Sequence, residues 1–345
     1  MRKLLALGFA ASIAASALIG ASPSPAGATY PGLKGRILFN HCDRHTGCQI
    51  YTVNPDGSSL QQVTTESDNF DADWSPDGTK IAYVSYLSGD AAIWVVNADG
   101  SDAVQVTPNQ RRSDAYSPRF TPDGEHLLYV DCLGFDCDGG LYSVALDGSH
   151  RHAVTSHSGD SYNLGERSPD GTRLAYMRWH VSGVKMGVYV ADRDGSNEEL
   201  ITPPRLEASF PDWAPSGETI LFTTNVFFDR PNVSIYSVHP DGTALTRLTD
   251  DGFRVNDWSG SYSPDGRRIV FDSDRDAGCY GCGDLFIMTP DGAHTWKIPL
   301  PFDAYDARWG TASLSSARSE SVAARRVVPA VPFQPWLAVT GPIEL

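Results

Sequence analysis

What this 345-residue chain lacks narrows its fold and chemistry first. No window sustains a 3.6-residue apolar period, which excludes a stack of helices. No G-x-S-x-G nucleophile phrase occurs. The nearest, Gly159-Asp160-Ser161-Tyr162-Asn163, lacks the closing Gly and has no strand–turn–helix setting. His157, His180 and Asp160 are the candidates for acid–base work, but three polar loop residues are a weak grouping. Past residue 28 no apolar run is long enough to span a bilayer. Basic residues are scarce. The chain has 27 Lys and Arg against 42 Asp and Glu, and without Arg2 and Lys3 it has 25 and a net charge of −17. So negative a surface repels phosphate backbones and argues against nucleic acid. It suits cations, basic groups or simple solubility.

What is present begins with an export signal. Arg2 and Lys3 precede an apolar and small-residue run from Leu4 to Ile19, and Ala26-Gly27-Ala28 is an A-x-A cleavage pattern. Residues 1–28 are therefore expected to be a secretory signal peptide, the alternative being a retained anchor. The remainder is expected to be extracellular, periplasmic or bound to the cell envelope. With 41% hydrophobic residues, 14 Tyr, 14 Phe and 8 Trp, there is material for a packed core, and 32 Gly and 23 Pro favour many turns over long helices.

One phrase then recurs: WSPDGTKIAYVS (74–85), FTPDGEHLLYVD (120–131), RSPDGTRLAYMR (167–178), WAPSGETILFTT (213–224) and YSPDGRRIVFDS (262–273). Its turn residues Asp77, Asp123, Asp170, Ser216 and Asp265 are 46, 47, 46 and 49 residues apart. A second Asp-Gly turn is interleaved, as in NPDGSS (54–59), NADGSD (97–102) and TPDGAH (289–294). A fixed period of this length means an array of one structural unit. Each unit reads as four short strands, A to D, with A ending in the aromatic before the first turn. Four antiparallel strands repeated radially form a propeller blade. GRILFN (35–40) opens the first unit at strand B. FDAYDARWG (302–310) resembles strand A without its turn, so Ala307–Trp309 should complete the first blade. The expected fold is all-β, a six-bladed propeller closed by a C-terminal strand.

The W-S-P-D-G…I-A-F/Y…D-G…L-T pattern, over about residues 35–309, resembles the TolB-type six-bladed propeller repeat. That resemblance implies the propeller fold, which hosts binding proteins, hydrolases and lyases alike. TolB proper carries an α/β domain before its propeller, whereas here the export signal runs into the first blade within a few residues. The expected organisation is signal peptide 1–28, propeller 29–309 and a largely unstructured tail 310–345.

Both Asp-Gly turns are A–B or C–D turns and share one face of the ring. Pro presets φ, Asp bonds the backbone two residues on, and Gly accepts positive φ, so this face is uniform and structural. The B–C and D–A loops on the opposite face vary from blade to blade, which is where function usually sits. All six cysteines lie there, as Cys42/Cys48, Cys132/Cys137 and Cys279/Cys282. In an oxidising compartment this favours three local disulfides, each worth about 2 kcal/mol by loop entropy. Zinc held by Cys279, Cys282, Cys42 and Cys48 with His41 or His45, or redox work at the Cys279–Cys282 C-x-x-C spacing, is the alternative. Asp71 and Asp306, each three residues before a strand-A Trp, are candidate ligands for a channel-mouth cation such as Ca²⁺, with Asp303 as a third. Asp is also simply common in turns. Trp179, Phe227, Phe228, Phe253, Trp258, Tyr280 and Tyr305 are candidate aromatic contacts for a peptide or sugar, against the plainer role of packing between loops. The expected function is a monomeric, non-catalytic module that binds a protein, peptide or glycan at the envelope. A propeller hydrolase or lyase with a cation-assisted site is the alternative.

Overall fold

The structure is a computed structural model that describes residues 35–108, 113–133, 139–155, 160–180, 186–224, 233–250, 255–276 and 283–312. Residues 1–28, Phe227, Phe228, Phe253, Tyr280, His157, Cys137, Cys279, Cys282 and the residues beyond Ala312 lie outside the described residues. The rest forms six separate four-stranded antiparallel sheets, the six blades. The innermost strands, A, are Asn69–Trp74 in blade 2, Ser113–Phe120 in blade 3, Asp160–Arg167 in blade 4, Ser209–Trp213 in blade 5 and Asp257–Tyr262 in blade 6. Blade 1 takes its inner strand, Tyr305–Trp309, from the far end of the propeller, paired with Ile37–Asp43. The two ends of the array thus share one sheet. The inner strands lie side by side around the ring, with Tyr305–Trp309 next to Asn69–Trp74. One short 3₁₀ turn, Pro204–Leu206, is the helical element among the described residues.

The apolar pattern of strand B dictates the ring. Leu38 and Ile50 of blade 1 join Ile81, Tyr83 and Val96 of blade 2 in one core cluster. Ile37, Phe39 and Val53 point the other way and pack on Val270, Leu285 and Ile287 of blade 6. Successive strand residues face opposite sides, so a strand apolar on both sides must be covered by two neighbours. The same division gives one cluster at each of the remaining boundaries. The aromatic that ends five of the six inner strands fills the wedge toward the preceding blade: Trp74, Phe120, Trp213, Tyr262 and Trp309 each belong to such a cluster.

Side-chain hydrogen bonds set the repeated turns. Asp77 Oδ1 accepts from the Ser75 hydroxyl at 2.7 Å and from the Thr79 N–H at 3.0 Å, while the Gly78 N–H donates to the Ser75 carbonyl at 2.8 Å. Gly78 sits at φ 70°, in the left-handed region that suits Gly. A Cβ there would run into the backbone of Ala312, because the chain leaves the closing strand across this turn and the Thr311 hydroxyl donates to the Pro76 carbonyl at 2.6 Å. Asp123, Asp170 and Asp265 repeat the arrangement.

The outer strands are shorter than the sequence pattern implies, only two residues in blades 1, 2, 4 and 5. The Val/Leu-Thr ending takes over from the ladder. Thr64, Thr107, Thr202 and Thr249 each accept, through Oγ1, the strand-C N–H of Ile50, Ile93, Val188 and Ile235 at 2.8–3.0 Å. A threonine hydroxyl replaces a backbone carbonyl where the outer strand peels away.

Candidate functional site

Every inner strand carries a register shift against its strand B. In five of them the residue three before the end of the strand is left-handed without being Gly: Asp71, Ser117, Phe210, Ser259 and Asp306, at φ between 51° and 59°. Such a conformation costs an L-residue roughly 1–2 kcal/mol. The bulge it produces sharpens the strand's twist and re-aims the side chains on either side.

One residue before the end of each inner strand stand Asp73, Arg119, Glu166, Asp212, Ser261 and Arg308, from blade 2 round to blade 1. Adjacent inner strands belong to different sheets, and these side chains join them. Asp73 accepts the Phe120 N–H of the next blade at 2.9 Å, Glu166 accepts that of Trp213 at 3.2 Å, and Asp212 accepts that of Tyr262 at 2.9 Å. Ser261 Oγ takes the Trp309 N–H at 3.3 Å. Arginine has no acceptor, so blades 3 and 1 break the series. Arg308 instead reaches over blade 6 to donate to Asp212 at 2.6 Å. Arg119 donates to the Pro118 carbonyl at 2.7 Å and lies 3.8 Å from Asp71.

Burial works against the charged form of the carboxyls around this ring. Burial pushes Asp73, Asp212 and Asp306 above the ordinary carboxylate range, with the Asp71 charge adding to the effect at Asp306. Glu166 is raised further, by burial and then by Asp212, and so is Asp272, by burial and then by Asp306. Burial alone would weaken the Arg308 charge, but Asp212, Glu166 and Asp306 raise its pKa on balance. Asp71 Oδ2, Asp306 Oδ1, Arg119 Nη2 and Arg308 Nε hydrogen-bond to no protein group.

The structure brings Asp71 and Asp306 together, since each sits at the bulge of neighbouring inner strands and Asp71 acts on the Asp306 carboxyl. Asp303 faces a different set. Its carboxylate is raised by burial, accepts the Tyr305 hydroxyl at 3.4 Å and lies near His41, Asp284 and Lys297. Cys42 and Cys48 are joined by a disulfide and stand directly opposite each other where strands B and C of blade 1 meet their loop, so neither sulfur remains as a zinc ligand. Cys132 is also disulfide-bonded. Beside the first bridge, His41 stacks on Phe302 at 4.1 Å and its Nδ1 meets the Asp303 carbonyl at 2.8 Å.

Of the aromatic candidates, Trp179 is half-buried on strand B of blade 4, opposite Ser161. Trp258 and Tyr305 are half-buried and occupy the same inner-strand position, four before the strand end. Sequence reading missed two further members at that position, Phe70 in blade 2 and Tyr116 in blade 3. Counting back four residues from Trp74 and Phe120 would have found them. Phe70 packs on Tyr86 with ring centroids 5.7 Å apart, and the Tyr86 and Tyr116 hydroxyls are 3.4 Å apart. Tyr86 and its neighbour Leu87 are exposed. On the opposite face, Asp123, Glu125 and His126 come within metal-ligating reach among the described residues, but Asp123 Oδ1 already accepts from Thr121 and Glu125.

Residues 68–229 match the model of the TolB beta propeller domain. This match and the six-bladed architecture make the chain similar to TolB-type β-propellers in repeat and fold. It is 30% identical over 199 residues to a protein TolB homolog of Chlorobium luteolum, covering 57% of this chain and 43% of that protein. The chain thus spans less than half the length of that relative. Among solved structures, TolB from Acinetobacter baumannii superposes with a TM-score of 0.65 at 19% identity, over 80% of this chain and 66% of that one. An oligogalacturonate lyase in complex with manganese gives a TM-score of 0.51 at 16% identity, over 77% of this chain and 74% of that one. At those identities the likeness is one of fold.

Proposed function

We propose that the protein is an exported propeller that binds a protein, peptide or glycan of the cell envelope through the face carrying its B–C and D–A loops. The observation that carries this reading is the division of labour between the faces. The Asp-Gly turns are uniform and spend their carboxylates on their own backbone. The opposite side holds the disulfide-braced hairpin of blade 1 and the partly exposed aromatics. The export pattern of residues 1–28 and the resemblance to TolB support the envelope address. No helix among the described residues is long and apolar enough to cross a membrane.

The test is affinity capture from an envelope extract with the mature chain as bait, beside a Trp179→Ala, Tyr305→Ala variant. Recovery of a partner that the variant no longer holds, with an unchanged melting temperature, supports binding through this face. A processed small molecule without any partner would favour the second reading, an enzyme assisted by a cation between Asp71 and Asp306. One observation favours that reading: Asp71 Oδ2 is buried and hydrogen-bonds to no protein group, beside a second carboxyl that its charge disturbs. Calorimetric titration with Ca²⁺ and Mn²⁺ checks it directly, and a silent titration removes it.

A further inference from the structure

The blade boundaries of this ring are not equally closed. Three devices recur at them. An acceptor near the end of one inner strand takes the N–H of the next, as Asp73, Glu166, Asp212 and Ser261 do. An aromatic at the end of the inner strand fills the wedge toward the preceding blade, as Trp74, Phe120, Trp213, Tyr262 and Trp309 do. On the turn face, the repeated Gly of one blade stands against the Pro of the blade before it. A Cβ at Gly124 would lie 3.6 Å from Pro76, one at Gly217 3.9 Å from Pro169, and one at Gly266 3.7 Å from Pro215.

Among the described residues, the boundary between blades 3 and 4 has none of the three. Arg119 occupies the acceptor position and, having no acceptor to offer, donates to the Pro118 carbonyl of its own strand. Arg167 occupies the aromatic position. It is half-buried, and its guanidinium donates to the Arg193 carbonyl of its own blade at 2.8 Å. A Cβ at Gly171 meets nothing within 4 Å, so Pro122 of blade 3 does not close on this turn as the other prolines do. Groups that face a gap forfeit their dispersion contacts. What joins the two blades is the Ser117 hydroxyl, donating to Asn163 Oδ1 at 2.7 Å, and a core rich in tyrosine, with Tyr162, Tyr176 and Tyr189. The boundary between blades 6 and 1 uses Ile37, Phe39 and Val53 instead. A phenol keeps a polar end and meets water more readily than these apolar side chains do. Arg308 likewise leaves the boundary between blades 1 and 2 without a bridging acceptor, but there Trp74 fills the wedge. The Thr311 hydroxyl also bonds the Pro76 carbonyl, and the chain at Ala312 lies against Gly78.

We infer that the boundary between blades 3 and 4 is an opening seam, at which the ring parts ahead of global unfolding. It parts into an arc of blades 1–3 and an arc of blades 4–6, which stay joined through blade 1, whose sheet holds both ends of the array. Partial openings are drawn from the least-packed part of a fold. This one gives solvent a route to Arg119 and Glu166 of the inner ring, which stand on its two sides.

The test is native-state hydrogen exchange of the full mature chain at low denaturant, read by mass spectrometry. The strands His126–Leu133 and Arg173–His180 each lose the cover of one face when the seam parts. Their amides should exchange about tenfold faster, or more, than those of Ile37–Asp43 and Ile269–Ser273 at the opposite boundary. Arg167→Trp supplies the missing aromatic and should slow the two seam strands about tenfold while leaving the other two unchanged. Arg167→Lys should leave all four as they are. The inference is overturned if the four strands exchange alike or if another boundary opens first. It is also overturned if the folded Arg167→Trp variant leaves the seam strands as fast as before, or slows all four equally. Should that variant fail to fold, the comparison of strands in the unaltered chain decides alone.

Discussion

Aspartate does opposite things in two parts of this molecule. On the turn face, Asp77, Asp123 and Asp170 accept hydroxyl and backbone N–H donors two residues away, and these bonds hold their carboxyls below the ordinary range, Asp170 at about 2. At the inner ring, Asp73, Asp212 and Asp306 lose water, and burial pushes their carboxyls upward. A turn carboxylate fixes the local chain and works alone. An inner carboxyl joins blades far apart in sequence and depends on its neighbours' charges. The same residue type is therefore a local staple at one radius and a member of a coupled network at another.

The largest expected break in that contrast comes from Arg308→Met. It leaves Asp212 without its buried guanidinium partner, a loss of about 3–5 kcal/mol in typical buried pairs, read from urea unfolding. The double variant with Asp212→Leu should recover much of it, and a loss no larger than that of an exposed ion pair would show that the ring is not a network. Next, Asp73→Ala should cost about 1–3 kcal/mol, because the Phe120 N–H loses its acceptor across the blade boundary. Asp73→Asn should be milder, since its amide oxygen still accepts, and equal losses for the two would mean that the cross-blade bond contributes little.

A smaller difference separates Gly78→Ala from Gly171→Ala. Both sites have φ near 70°, and the shared backbone strain is about 1–2 kcal/mol. A Cβ at Gly171 meets nothing within 4 Å, whereas one at Gly78 collides with the chain at Ala312. The excess destabilisation at Gly78 in thermal unfolding measures how firmly the exit of the closing strand is seated, and equal effects would mean that it is loose.

The pH dependence sharpens the comparison last. For Asp170 the folded value lies below the ordinary 3.8, so its stabilisation is complete above 3.8 and disappears as pH falls toward about 2. For Glu166 the folded value lies well above the ordinary 4.5, so stability is complete below 4.5 and declines as pH rises until the folded value is passed. Asp170→Asn should flatten the stability–pH curve below pH 3.8, and Glu166→Gln should flatten it above pH 4.5. If both variants leave the curve unchanged, the two classes of carboxyl are not distinct.

The sequence exposes whatever the ring repeats. Trp74-Ser75-Pro76-Asp77-Gly78 and its copies are local instructions, in which donor, acceptor and φ lie within five residues, so they can be read without the fold. The inner ring repeats a position but not a residue type: Asp73, Arg119, Glu166, Asp212, Ser261 and Arg308 share no pattern along the chain. Their partners lie some 47 to 96 residues away, as in Phe120 for Asp73 and Arg308 for Asp212. The left-handed bulge positions were equally hidden, because none of the five observed is Gly. Phe70 and Tyr116 read as ordinary strand residues, and only the alignment of inner strands sets them in line with Trp258 and Tyr305.

By itself, then, the sequence determined the all-β class, the six blades, the closure through Ala307–Trp309, which the structure extends back to Tyr305, and the division into a uniform and a variable face. Turn chemistry and alternating burial act over a few residues and leave a periodic trace. Only the tertiary structure decided which carboxyls meet, which of them share charge with Arg119 and Arg308, and that Tyr86 bridges Phe70 and Tyr116 of neighbouring blades. Those neighbours are created by closing the ring, and no local rule along the chain encodes a contact between residues a blade or more apart.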